Sequence, residues 1–452
     1  MQPPWKLVVE DLGRIGHAEI DARPLLLFVG SNNTGKTYLA SLMWGLLSLS
    51  GGLPVPRGEA FQRCAAWIEE RFARREQEPA FEIPAEVHAD LVQVVNDMLR
   101  EHAGLLAERT FNRPGFRVGK VELRDVALRS QEQMYLRTVE EGGQRMVTLD
   151  MSSTDLRRPL LVHSNDAAQR GNAIEILAKR WILGSLGGYR AVLSGDRRGP
   201  IFLPASRTGF MLLYRSLAEA LVGGALLKGA TAGPPVPDLT APTIDFLKML
   251  VGLRTSVGAY PGEAAFLERA LGGRLTLKSG VGLSEVAYQL EGGAELPLEI
   301  SSSLVTELAP VILSLRHVGG YNVLLIEEPE AHLHPHLQRR LAQVIVRLVR
   351  KGLFVWITTH SENFCQQINN FMKLGAHPRR AEMQRKHGYE EMDYLDLDDV
   401  AGYQFEPDAS GLRTVVTEMK KTASGLAMPT FNRELAALTD EALDLELPEA
   451  GE

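Results

Sequence analysis

"LLLFVGSNNTGKTYLA", residues 25–40, joins a continuous apolar run to a glycine-bounded polar loop and then to a helical pattern. The run is typical of a strand buried on both faces, and the spacing of Leu39, Leu42 and Leu46 predicts a helix. A strand, a glycine loop and a helix in this order form a phosphate-binding loop. The stretch therefore predicts an α/β nucleotide-binding core.

The loop contains the complete G-x-x-x-x-G-K-[ST] pattern of a phosphate loop. Its glycines tolerate the torsions that let backbone N–H groups surround phosphates, and the helix N-terminus adds a favourable dipole. Lys36 is placed to reach the β- and γ-phosphates, and the Thr37 hydroxyl to bind Mg²⁺. The residues predicted to bind the nucleotide are Gly30, Ser31, Asn32, Asn33, Thr34, Gly35, Lys36 and Thr37.

A second apolar run, "VLLIEEPEAHLHP" at residues 323–335, ends in neighbouring carboxylates. We expect Glu327 to coordinate Mg²⁺ and Glu328 to polarise the attacking water as general base. A solvated acidic loop is the alternative, but a phosphate-loop enzyme needs such a strand end. The two motifs together favour a hydrolytic site.

A third buried strand is predicted in "LFVWITTHSENF", residues 353–364, and His360 follows it. This histidine is placed to contact the γ-phosphate and respond to its hydrolysis, although a structural role at a strand end is the alternative. His332, His334 and His336 alternate, which is not the spacing of a standard metal site. We therefore expect no metal other than Mg²⁺.

Three serines precede a helical pattern in "LEISSSLVTELAPVILSLRH". One interpretation is an N-cap, in which the hydroxyl of Ser302 or Ser303 accepts a hydrogen bond from the first free N–H groups. The other is that a serine and the helix N-terminus contact the γ-phosphate of a nucleotide held by another subunit. Both interpretations can hold together.

The composition is that of an ordinary globular protein, with 452 residues, 45% apolar residues and a net charge of −7. This charge gives no argument for non-specific binding to nucleic acid or anionic lipid, but does not exclude a local basic patch at 379–389. Cys64 and Cys365 lack metal-ligand spacing and fit a reducing compartment. Without a signal-peptide pattern or a membrane-length apolar run, we expect a cytoplasmic protein with no membrane partner.

The order of the patterns predicts a discontinuous core at 1–50 and 196–400. Residues 51–195 change character, with two amphipathic helices and a hairpin at Gly142–Gly143, and are predicted to form an insertion that senses a trigger or docks a partner. Residues 401–452 are predicted to be a C-terminal extension.

The ordered set GSNNTGKT, a serine-led helix, LLIEEPEAHLHP and ITTHS resembles the ABC-type ATPases of the OLD, RecF and SMC-like branch. The resemblance covers residues 1–50 and 196–365. It implies a P-loop ABC-type ATPase core with an N-terminal β-rich lobe and a helical or mixed insertion. It also implies a homodimer, or a higher even oligomer, that sandwiches ATP between one Walker loop and the partner's signature serine.

Carried over by position, the resemblance assigns phosphate and Mg²⁺ binding to Lys36 and Thr37. Glu327 takes the acidic Mg²⁺ position, Glu328 the catalytic base and His360 the switch, so that Lys36, Glu328 and His360 are the catalytic candidates. The chain contains no base-reading motif that would distinguish ATP from GTP.

The signature role falls to Ser302 or Ser303, where the sequence departs from the pattern. Many relatives have glycine at the position of Leu304, and a bulky residue would hinder close backbone approach to the γ-phosphate. This predicts a weaker contact between subunits, slower hydrolysis or a register shifted by one. Arg207, in "LPASRTGF", is expected to face the nucleotide or to signal to the insertion.

Two features found in members of this branch are not recognised in the sequence. They are a Toprim nuclease domain after the switch histidine and the long heptad array of a coiled coil. The chain is therefore similar to the stand-alone ATPase subunits of PARIS-like or Septu-like anti-phage systems. This implies an ATP-hydrolysing switch that controls a separately encoded effector such as a nuclease. The alternatives are a RecF-like ATPase that binds DNA in repair, and a weakly hydrolysing nucleotide-binding scaffold.

Overall fold

The computed structural model contains a nine-stranded mixed sheet with helices on both faces and three smaller sheets. The predicted α/β class is confirmed. The structure describes residues 5–127, 134–141, 144–151, 160–162, 173–186, 199–214, 216, 239–278, 284–423 and 425–445.

The strands and helices are numbered separately in chain order. The strands are β1 (Trp5–Leu12), β2 (Ile15–Ala22), β3 (Leu25–Gly30), β4 (Ala80–Phe81), β5 (Lys120–Arg124), β6 (Met134–Glu141), β7 (Gln144–Met151), β8 (Leu160–Val162), β9 (Ile201–Leu203), β10 (Gly273–Lys278), β11 (Glu285–Leu290), β12 (Glu295–Pro297), β13 (Val323–Glu327), β14 (Phe354–Thr359), β15 (Val400–Pro407), β16 (Thr414–Glu418), β17 (Lys421–Thr422) and β18 (Gly425–Leu426). The helices are α1 (Lys36–Leu49), α2 (Glu59–Arg74), α3 (Ala85–Phe111), α4 (173–186, with a π-helical stretch at Ala178–Leu183), α5 (207–214), α6 (Ala241–Val251), α7 (Pro261–Leu271), α8 (Ser303–His317), α9 (Pro335–Arg350), α10 (Glu362–Ala376), α11 (Arg380–His387) and α12 (Pro429–Asp444).

The large sheet has the strand order β5-β1-β2-β16-β15-β3-β14-β13-β9. Its strands β15, β3, β14, β13 and β9 run parallel to one another. Their carboxyl ends consequently lie along one edge, which is where open α/β sheets bind ligands. Three predicted site motifs, those after β3, β13 and β14, are at this edge.

The strand β3 is buried on both faces, as its continuous apolar run predicts. Leu26 and Phe28 belong to a core shared with α1, α2 and α3. Leu25, Leu27 and Val29 belong to a second core on the other face, shared with α7, α8, α9 and α10. Because successive strand residues point to opposite faces, one strand anchors the phosphate loop in both cores.

The sheet does not divide at the predicted domain boundaries. β5, from the predicted insertion, pairs with β1, and β15 and β16, from the predicted C-terminal extension, lie between β3 and β2. Local sequence patterns do not reveal such pairings because the partners are more than 100 residues apart in the chain. The insertion also forms a sheet of β4, β6, β7 and β8, whose hairpin tip at Gly142–Gly143 lies outside the described residues.

Candidate nucleotide-binding site

The phosphate loop leaves β3 at Gly30, where the chain passes closely beside β15. Gly30 has φ +150°, and a Cβ atom there would lie 2.2 Å from the backbone oxygen of Phe405. Gly35, immediately before α1, has φ +91° and would place a Cβ 3.0 Å from Ile15. Both positions therefore require glycine, one for close approach and the other for its left-handed backbone.

Between these glycines the loop is held by hydrogen bonds to its own carbonyl groups. The Thr34 hydroxyl donates to the Ser31 oxygen at 2.9 Å, and an Arg14 N–H donates to the Asn33 oxygen at 3.2 Å. Asn33 has a positive φ of 62°, and Ser31, Asn32 and Asn33 are exposed. The first turn of α1 contains no acidic residue, so this helix N-terminus is suited to an anion.

Lys36 lies within the loop and is largely buried. Its Nζ donates to the backbone oxygens of Gly30 and Ser31 at 2.8 and 2.7 Å. Burial lowers the pKa of Lys36, while the carboxylates of Glu328, Glu330 and Glu327 act in the opposite direction. The ammonium group is thus positioned by carbonyls that a phosphate oxygen can replace.

Glu327 ends β13 and is buried beside the phosphate loop. Its Oε2 accepts a hydrogen bond from the Ala205 N–H at 3.3 Å, but its Oε1 has no hydrogen-bond partner among the described residues. Burial raises the pKa of Glu327, and the neighbouring Thr37 hydroxyl lowers it. A buried, unpaired carboxylate oxygen next to a threonine hydroxyl fits Mg²⁺, which prefers such hard oxygen ligands. Thr37 and Glu327 are the residues that would hold it.

The next carboxylate, Glu328, turns away from the strand and reaches the histidine predicted as the switch. It has φ 44°, and its N–H donates to the Thr358 oxygen at 2.8 Å. Its Oε1 is 3.7 Å from the His360 Nδ1, with the two side chains 33% and 40% exposed. The structure therefore brings the predicted base and switch together in contact with solvent.

A third carboxylate, Glu330, was not assigned a role from the sequence. It is buried, and its Oε1 accepts hydrogen bonds from the Thr359 hydroxyl at 2.7 Å and from the N–H groups of His360 and Ser361 at 2.9 and 3.1 Å. Glu330 therefore holds the turn that carries His360. The available signal was the third acidic residue in the EEPE motif.

The serines before α8 lie at its exposed N-terminus. Ser302 occupies the N-cap position, but no side chain caps the helix, so the prediction of a serine hydroxyl cap is wrong. The hydroxyls of Ser302 and Ser303 have no hydrogen-bond partner among the described residues, whereas Ser301 donates to the Pro297 oxygen. Leu304 packs partly against the second core, which turns its side chain away from this terminus.

Arg207 is fully buried and does not face a nucleotide surface, contrary to one of its predicted roles. Its side chain donates to the backbone oxygens of Glu327 at 2.6 Å and Glu328 at 2.9 Å. It also forms an ion pair with Glu307 in α8 at 2.5 Å and donates to the Glu307 backbone oxygen. Burial lowers the pKa of Arg207, and the nearby carboxylates, first that of Glu307, oppose this shift.

The described residues also bear on two other features, a metal site of clustered side chains and a membrane-spanning helix. No group of three His, Cys, Asp or Glu side chains among them is placed to hold a metal ion, and His332, His334 and His336 are exposed. Nor does any described helix have the length and apolarity needed to cross a bilayer.

Residues 267–365 match the family model of an AAA ATPase domain. This match spans α8, β13 and β14, and shows that part of the chain is similar to ATPase domains. No curated protein matches the chain.

Three solved SMC head structures are similar to the chain at low identity. The SMC head domain from Thermotoga maritima is 10% identical, covers 93% of this chain and 100% of its own, and has a TM-score of 0.34. An SMC head bound to the C-winged helix domain of ScpA is 14% identical, covers 92% and 98%, and has a TM-score of 0.37. An SMC head with an extended coiled coil, bound to the C-terminal domain of ScpA derived from Pyrococcus furiosus, is 13% identical, covers 98% and 100%, and has a TM-score of 0.35. Likeness at this level does not identify a function.

Proposed function

We propose that this chain binds ATP with Mg²⁺ and hydrolyses it as one half of a homodimer. The observation that carries the proposal is the meeting of three groups at one edge of the parallel strands. These are the phosphate loop with Lys36, the buried Glu327 with its unpaired oxygen, and the Glu328–His360 pair. ATP is preferred to GTP because of the resemblance to ABC-type ATPases.

In this proposal, each group of residues has its own role in phosphoryl transfer to water. The loop N–H groups and Lys36 bind and orient the phosphates. Thr37 and Glu327 hold Mg²⁺, which when bound neutralises charge on the phosphate oxygens. Glu328 orients the water and accepts its proton, and His360 donates a hydrogen bond toward the γ-phosphate.

The second subunit is proposed because the serine-led N-terminus of α8 is exposed and its hydroxyls are not used within the described chain. Ser302 and Ser303 can therefore contact a γ-phosphate bound by a partner, together with the helix dipole. The inward packing of Leu304 leaves this approach open. ATP then closes the dimer and hydrolysis reopens it.

The test is the Glu328→Gln variant, which keeps the shape of the side chain but removes the base. We expect the hydrolysis rate to fall about 10²- to 10⁴-fold, with ATP retained and an ATP-dependent dimer accumulating in light scattering. The exposed Glu391 provides a matched control, since Glu391→Gln should hydrolyse ATP as the wild type does. Equal rates for the Glu328→Gln variant and the wild type would refute the assignment of the base.

The finer proposal is that this cycle controls a separately encoded effector, a nuclease, in anti-phage defence. Its support is the resemblance of the motif set to stand-alone defence ATPases, and the insertion is the proposed docking surface. The experiment is a pull-down from a host carrying the native locus, with ATP and the Glu328→Gln variant as bait. Recovery of a nuclease whose activity changes with ATP supports the proposal. ATP-stimulated, salt-sensitive DNA binding without a nuclease contradicts it and favours the RecF-like alternative.

A further inference from the structure

A buried bridge joins two functional parts of the same chain. On one side, Arg207 holds the backbone oxygens of Glu327 and Glu328, the residues at the end of β13. On the other side, it pairs with Glu307 in the second turn of α8, the helix that begins at the signature serines. Arg207 and Glu307 are both 0% exposed.

The bridge has additional hydrogen bonds at each end. The Thr208 hydroxyl donates to the Glu307 carboxylate, and the Arg207 Nε donates to the Glu307 backbone oxygen at 3.2 Å. The Ala205 N–H donates to Oε2 of Glu327, so the segment that carries Arg207 also contacts the proposed Mg²⁺ ligand. A shift in the position of the Glu327 carboxylate is therefore passed to Arg207 through the hydrogen bond to Ala205, which is two residues before Arg207 in the chain.

In an ATP sandwich, these two ends of the bridge belong to different nucleotide sites. The Glu327 and Glu328 of one protomer act on the ATP bound to its own phosphate loop, whereas its serines act on the ATP of its partner. We propose that the Arg207–Glu307 bridge couples the two ATP sites of the dimer, with Arg207 as a positioning residue. This inference rests on the proposed function, because it needs both a dimer and hydrolysis.

The chemistry of the bridge suits such coupling. A guanidinium group offers donors in a fixed planar fork, and this one contacts four backbone oxygens and a carboxylate away from water. Leaving any of these groups unpaired in the interior is unfavourable, so the strand end and α8 move together. ATP binding at one site thus changes the position of Ser302 and Ser303, which belong to the other site.

The experiment compares the ATP-concentration dependence of hydrolysis in the wild type with that of Glu307→Gln, which keeps the side-chain shape but removes its charge. The wild type is expected to show a Hill coefficient above 1, and the variant a coefficient of about 1. Binding of a fluorescent ATP analogue to each variant should stay within about twofold, because the bridge does not touch the phosphate loop.

The matched control is the Arg316–Glu268 pair, a largely buried ion pair at the other end of the same helix α8. Glu268 lies in α7, so Glu268→Gln removes a comparable charge that is paired with α8 but does not reach β13, and its Hill coefficient should equal that of the wild type. If Glu307→Gln does not fold, Thr208→Ala removes one hydrogen bond of the bridge and should lower the coefficient in the same direction.

The outcomes separate this inference from the proposed function. Cooperative hydrolysis that persists in Glu307→Gln, or in Thr208→Ala where that is the folded variant, overturns the coupling but leaves the ATPase proposal intact. The same follows if the folded wild type hydrolyses ATP without cooperativity. An equal loss of cooperativity in Glu268→Gln also overturns the coupling inference. The effect would then follow from the loss of any buried ion pair and not from the loss of this bridge. A folded wild type that neither hydrolyses ATP nor dimerises with it overturns both.

Discussion

At the scale of single residues, the site contains a buried carboxylate that lacks a hydrogen-bond partner for one of its two oxygens. Glu327 is buried, and only one of its oxygens has a partner among the described residues. A buried polar group without a hydrogen bond typically lowers stability by about 1 to 3 kcal/mol. This cost is consistent with a group kept for binding a cation and not for holding the fold together.

We therefore expect Glu327→Gln to raise the melting temperature of the nucleotide-free protein at neutral pH while impairing Mg²⁺-dependent hydrolysis. Because burial raises the folded-state pKa of Glu327 above its ordinary value of 4.5, the cost is fully present above that folded-state pKa. It is lost as the pH falls through the folded-state pKa and then below 4.5, where the carboxyl is protonated in both states. The stability gain of the variant should hence shrink as the pH is lowered through the raised folded-state pKa towards 4.5, as measured by calorimetry.

Addition of Mg²⁺ and ATP provides the opposing comparison. The two ligands should stabilise the wild type more than Glu327→Gln, because only the wild type retains the anionic ligand. A variant that is less stable than the wild type without ligands at every pH would contradict this account of Glu327.

At the scale of elements, the turn between β14 and α10 depends on a side chain from another strand end. Glu330 accepts three hydrogen bonds from this turn, and Ser361 caps α10 by accepting from the Phe364 N–H at 3.2 Å. The position of His360 is consequently determined jointly by β13, β14 and α10. Three hydrogen bonds to one carboxyl oxygen favour a fixed position of this turn.

Glu330→Ala is expected to reduce the hydrolysis rate about 10- to 100-fold, because His360 loses its fixed position relative to the reacting atoms. ATP affinity should change little, since the phosphate loop does not depend on this turn. Glu330→Gln, which retains an acceptor oxygen, should be intermediate. Steady-state kinetics measure the hydrolysis rate, and equilibrium binding measures ATP affinity. A loss confined to affinity would contradict the role of Glu330 in positioning His360.

The elements of the core could be predicted from the sequence better than their connections. The buried strands β3, β13 and β14 and the helices α1 and α9 follow from apolar runs and helical spacing, which are local properties. The roles of Arg207 and Glu330 were not predictable in this way. Each acts through contacts with residues distant in the chain, and a single buried charge has no periodic pattern to reveal it.

At the scale of the whole molecule, the sheet is completed by the last quarter of the chain. β15 pairs with β3 on one side and with β16 on the other, and Tyr403 and Phe405 are buried in the core shared with α1. Without β15 and β16, both β3 and β2 would have unpaired edges and exposed apolar faces. Two strands of the region expected to be an extension, β15 and β16, therefore belong to the same sheet as the phosphate-loop strand β3.

A chain ending at residue 399 should fail to fold, whereas a chain ending at residue 428 should melt cooperatively near the temperature of the full chain. The longer form keeps β15 to β18, including the buried Leu426, and lacks α12, where the described side chains are exposed. Circular dichroism melting and ATP binding distinguish the two forms. Cooperative melting of the shorter chain would show that the sheet does not need β15.

This strand order also bears on how the protein is made. During translation, β3 and its phosphate loop leave the ribosome early, but their neighbours β14 and β15 are synthesised hundreds of residues later. A β-pairing of such high sequence separation forms slowly and leaves an apolar strand exposed to chaperones in the meantime. A nascent chain therefore cannot complete the sheet around the phosphate loop before β14 and β15 are made, and the proposed pairing of two copies by ATP would wait until then.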